Sequence, residues 1–97
     1  RLLLLVVDAA RGDPEIDLTE RLISAGAAVQ NVLLVATAQG FGSALTSGKA
    51  LKSAVLRRCF SLTDAEHAVC FISIGSVASR RPARPRPAVA DYFSTLA

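Results

Sequence analysis

Methionine and tryptophan do not occur in these 97 residues, histidine occurs once and cysteine twice. With His67 as the only imidazole there is no His/Cys group at metal-ligand spacing, so no metal site is expected. The phosphate loop GxxxxGK[ST] and the dinucleotide signature GxGxxG are also missing. Cys59 and Cys70 lack CxxC spacing, and in a predicted helix and a predicted strand they read as buried free thiols in a reducing cytosol. Long apolar runs are lacking too. The first, Leu2 to Val7, ends at Asp8 and is too short for a signal-peptide core or a membrane span. The chain is therefore predicted to be soluble and cytoplasmic, with no membrane partner. The missing methionine, with Arg1 in first place, leads us to expect a processed or partial chain.

What is abundant is apolar surface. Hydrophobic residues make up 52% of the chain, although aromatics make up only 5%. A self-contained domain of this size has a small core, so that much apolar surface predicts burial against another chain. The net charge of +3 is unevenly placed: Arg80, Arg81, Arg84 and Arg86 stand within seven positions, separated by prolines. That pattern describes an extended strap over residues 77–97, ending in the apolar anchors Tyr92, Phe93 and Leu96, and not a nucleic-acid arm.

Leu2 to Val7 reads as a strand covered on both faces, in the middle of a sheet. Asp8 to Glu15 is a surface loop. Asp17, with Glu20 three residues on, predicts a capped helix start. The helix should run from Leu18 to Gln39 and stop with Gly40 in the C′ position. Its apolar stripe (Leu18, Leu22, Ala25, Val29, Val32, Ala36) is widened by Leu33, Leu34 and Val35, which predicts a buried helix. Ser24 to Ala28 are all small and would let a symmetry mate approach, with Gly26 and Val29 at the contact. A short strand over Gly42 to Ser47, a helix over Ala54 to Phe60 capped by Ser53, and a buried strand over Val69 to Ile74 follow. Ser61 to His67 reads as a polar loop, with His67 facing solvent. The order indicates an α+β domain with a mixed sheet and a long central helix; with so few strands it is a single or partial domain.

The residues assign no catalytic group. Asp17 and Glu20 are explained by capping and the helix dipole. What remains is Thr46-Ser47-Gly48-Lys49: two hydroxyls, a glycine that exposes its N–H, and a lysine. These are suitable parts for holding a phosphate.

From Gly26 to Gly48 the chain joins a small-residue helix, the turn Gln39-Gly40-Phe41-Gly42 and the segment Thr46-Ser47-Gly48. Arg57-Arg58-Cys59-Phe60 and the strand Cys70-Phe71-Ile72-Ser73-Ile74-Gly75 come after it. This order resembles the C-terminal half of the FMN-dependent nitroreductase family, especially its short, minimal members. The resemblance implies a homodimer built on the Leu18–Gln39 helix and the C-terminal arm, with about half a domain missing. It implies FMN held at Leu45, Thr46, Ser47 and Gly48, and electrons passed from NADH or NADPH to nitroaromatic, quinone or similar small-molecule acceptors. Leu45 and Thr46 stand where the family commonly has tryptophan and arginine. That departure keeps a second reading open, a non-catalytic dimeric remnant that no longer binds flavin.

Overall fold

The computed structural model describes all residues from Arg1 to Ala97. Three strands, β1 (Leu2–Asp8), β2 (Gly42–Thr46) and β3 (Glu66–Gly75), alternate with two helices, α1 (Leu18–Ala38) and α2 (Ala54–Cys59). Short 3-10 turns occupy Lys49–Lys52 and Val89–Asp91. The sheet is antiparallel throughout in the order β1-β3-β2.

The predicted helix boundaries are observed to within a residue, and the reason is local. Asp17 Oδ1 accepts from the Glu20 N–H at 3.0 Å, satisfying one of the free donors of the first turn. At the other end Gly40 takes a φ of +85°, which a side-chain-bearing residue rarely adopts. Ser53 repeats the capping device for α2, its Oγ accepting from the Leu56 N–H at 3.1 Å.

Four expectations are corrected. First, β1 lies at an edge of this sheet and β3 in the middle; Leu2 and Leu3 remain 63% and 44% exposed. An apolar run shows that a strand is to be covered, but not which neighbours supply the cover. Second, α1 is not buried by its own chain: only Val29 and Ala36 are, while Ile23 is 69% and Leu34 57% exposed. Three strands can cover one stripe of a helix and no more. Val29 belongs to that stripe, packed with Cys70 and Ile72, so it faces inward and not toward a second copy. Third, His67 is in β3, opposite Val7, and not in a loop. Fourth, Cys59 is exposed; it ends a helix of six residues and has no layer above it.

The pairing shifts register between Leu5, opposite Cys70, and Val6, opposite Ala68. Val69 is the extra residue, a bulge in β3. Without it Val69 and Cys70 would point to opposite faces; with it both pack toward α1, in the cluster of Val29, Cys70, Ile72, Leu5 and Leu33.

By length and composition α1 could cross a membrane. Its first turns argue for a fold element instead: the Arg21 guanidinium donates to the carbonyls of Asp8, Arg11, Asp13 and Ile16, tying α1 to the loop after β1.

Beyond Gly75 the chain runs without regular structure to the turn at Val89, where Asp91 Oδ2 accepts from the Ala88 N–H at 3.1 Å. The radius of gyration is 16.7 Å. A compact domain of this length would have about 13 Å, so the arm projects. Tyr92, Phe93 and Leu96 are exposed at 69%, 63% and 103%.

Candidate functional site

The site expected from the sequence lies where β2 leaves the sheet. Leu45 pairs with Ile72 and Thr46 with Phe71, so the strand fixes the direction of both side chains. Successive residues on a strand face opposite sides. Leu45 points to the α1 side, and Ser47 lies there as well: both line a cleft of about 350 Å³ between α1 and the sheet. Thr46 points the other way. The structure thus brings Leu45 and Ser47 together on one cleft and separates Thr46 from them.

Gly48 has a φ of +149°, outside the range that side-chain-bearing residues adopt readily, and open space where a Cβ would stand. It leads into the 3-10 turn Lys49–Lys52, and its carbonyl accepts from the Leu51 N–H at 3.2 Å. Leu51 is buried beneath the turn, while Thr46, Ser47, Gly48 and Lys49 are exposed. Ser53 closes the segment, its Oγ donating to the Ala50 carbonyl at 2.8 Å. The result is a well-braced loop whose polar groups are free for a ligand.

The cleft also contains residues that a sequence reading aimed at the dimer passes over. Gly26, Gln30 and Leu33 of α1 line it opposite Ser47. Their spacing, on one helix face at i, i+4 and i+7, was the available signal. Gln30 brings an amide that can donate and accept. Cys70 lies at the floor, and burial pushes its thiol above the ordinary value. It is therefore a neutral packing group, not a nucleophile. No cluster of His, Cys, Asp and Glu is arranged to hold a metal ion.

Comparison with known proteins decides the family. The sequence model of the Nitroreductase family matches residues 2–76, most of the chain. The chain belongs to the nitroreductase family. The nitroreductase-like protein of Bacillus cereus superposes with a TM-score of 0.83 at 17% identity, over 98% of this chain and 50% of that one. The nitroreductase family protein of Streptococcus pneumoniae TIGR4 gives a TM-score of 0.69, also at 17% identity, over 84% of this chain and 42% of that one. These two likenesses establish the nitroreductase-like fold, and this chain spans half or less of each relative's length. No curated protein matches the sequence.

Proposed function

We propose that this nitroreductase-family chain is the C-terminal portion of an FMN-dependent oxidoreductase that uses NADH or NADPH, with the arm at residues 77–97 as an appendage. Family membership together with the exposed, braced turn at Leu45–Gly48 carries this reading. Ser47, the Gly48 N–H and Lys49 suit a phosphate: a hydroxyl, a free backbone donor and a cation, with no carboxylate in the segment. Thr46 would add its hydroxyl from the other face, and Leu45 would present an apolar surface beside the ligand. Bound FMN would supply the redox chemistry, accepting hydride from the nicotinamide and passing electrons to a nitro compound, quinone or similar acceptor. This chain's own residues bind and orient; none is assigned a proton transfer.

The same reading makes the protein a cytoplasmic homodimer. The exposed Ile23 and Leu34 of α1 and the projecting arm support it, because apolar surface of that kind is buried in stable assemblies. A second reading, a dimeric remnant without flavin, is favoured by Leu45 and Thr46 in place of the tryptophan and arginine that the family resemblance leads one to expect. Titration of the purified protein with FMN separates the two. Saturable quenching of flavin fluorescence supports the oxidoreductase, and a titration with no quenching supports the remnant.

A further inference from the structure

β2 makes its last pair, Thr46 with Phe71, and the chain returns to the same strand at Glu66. The excursion between them carries the candidate ligand turn and then α2. Ser53 joins the two into one piece: its N–H and Oγ donate to the Ala50 carbonyl, and its Oγ accepts from the Leu56 N–H. Hydrogen bonds made by residues 47–62 stay within that stretch, with one exception, the Arg57 side chain. Its Nη1 donates to the Glu66 carbonyl at 3.0 Å and its Nη2 to the Thr63 carbonyl. The receiving loop is itself fastened, since Glu66 Oε1 accepts from the Thr63 N–H at 2.9 Å and the Ala9 N–H donates to the Ala65 carbonyl at 2.9 Å. Buried Leu51 and Leu56 also hold the excursion down, but apolar contact has no direction, whereas a guanidinium fork on two fixed carbonyls does. Arg58, next in the chain, is exposed and makes no such contact.

We propose that Arg57 is the positioning residue of the candidate ligand turn: from the far side of α2 it fixes where Ser47 and Gly48 stand relative to the sheet. The inference rests on the flavin reading for the ligand that the turn receives; the tether is a property of the fold. Without the fork the turn and α2 keep their internal hydrogen bonds but move among several placements. Ligand affinity then falls by the fraction of time spent out of place.

The test uses FMN as the probe and Arg21→Met as the control, because Arg21 is also a guanidinium tether but serves the connection between β1 and α1. Arg57→Met should weaken FMN binding about tenfold with unchanged circular dichroism. Amide exchange should quicken at Leu51 and Ser53. Arg21→Met should leave FMN affinity and those two amides unchanged, although it too lowers stability. Arg57→Lys, whose ammonium serves one carbonyl at a time, should fall between wild type and Arg57→Met, and it decides the matter if Arg57→Met does not fold. Wild-type FMN affinity in both Arg57 variants overturns the proposal. So does an equal loss in Arg21→Met, which would show a general effect of stability. Should wild type not bind FMN, the flavin reading fails while amide exchange still judges the tether. Exchange quickened only within residues 47–62 upholds it, and unchanged exchange overturns it.

Discussion

Arg21 Nη2 on α1 donates to the carbonyl oxygen of Asp13 at 2.7 Å, and the same guanidinium reaches the carbonyls of Asp8, Arg11 and Ile16. One side chain thus ties α1 to four carbonyls along the connection from β1, which is braced further by the Asp8 and Asp13 carboxylates accepting from the Ala10 and Glu15 N–H groups. The fork geometry matters, because a lysine ammonium cannot span carbonyls on both sides of a loop. Arg21→Met should speed amide exchange through Ala9–Asp17 and lower stability by about 1–3 kcal/mol. The carbonyls are mostly solvent-exposed, so water will replace part of the loss and the lower end is expected. Arg21→Lys should recover little, and hydrogen exchange of both variants checks this.

The core is small, with seven buried residues, and Ile72 is among the most enclosed at 3% exposed. Ile72→Ala removes the centre of the contact between β3 and α1. A loss of about 2–5 kcal/mol is expected, which for a marginal domain approaches the full stability. Chemical denaturation reads it.

Because Val29 packs inward on Cys70 and Ile72, an arginine there would break the fold before it tested any dimer. Ile23 and Leu34 are the informative positions. If α1 packs on its own symmetry mate, Ile23→Arg or Leu34→Arg leaves a charge in an apolar contact at a cost of several kcal/mol. Sedimentation should then show a dimer becoming a monomer with unchanged circular dichroism. A dimer mass retained in both variants would locate the interface elsewhere.

Removal of residues 80–97 tests the arm. Tyr92, Phe93 and Leu96 touch little of their own chain, and each would contribute about 1.5–3 kcal/mol if buried against a second copy. The truncated protein should dimerise more weakly and melt at a lower temperature. Equal dimer affinity and melting temperature would show the arm to be a free tail.

The two cysteines should differ sharply toward a thiol reagent. Exposed Cys59 should react at once, Cys70 only on unfolding. Burial raises the Cys70 thiol above its ordinary value of 9.0, so the folded state keeps a proton that the unfolded state releases. That contribution is complete below pH 9.0 and is lost as pH rises past it. Stability measured across the alkaline range should fall more steeply than in Cys70→Ala.

Much of the protein is decided by short-range chemistry that the sequence displays. Asp17 and Ser53 cap their helices because side-chain oxygen and backbone N–H are neighbours along the chain. Gly40 and Gly48 stand just outside the two ends of β2 because only glycine tolerates those backbone angles cheaply. The order of the small-residue helix, the Gln39–Gly42 turn, Thr46-Ser47-Gly48 and the strand Cys70–Gly75 was enough to point to the nitroreductase family. Tertiary structure alone decided that β1 is an edge strand, that Val29 looks inward, that His67 belongs to a strand and that Cys59 is bare. It also decided that Leu45 and Ser47 share a cleft from which Thr46 turns away. Each of these depends on which distant segment lies opposite, and on a one-residue bulge at Val69 that sets the facing of half a strand. An apolar residue records the need for cover; the fold determines which neighbour provides it.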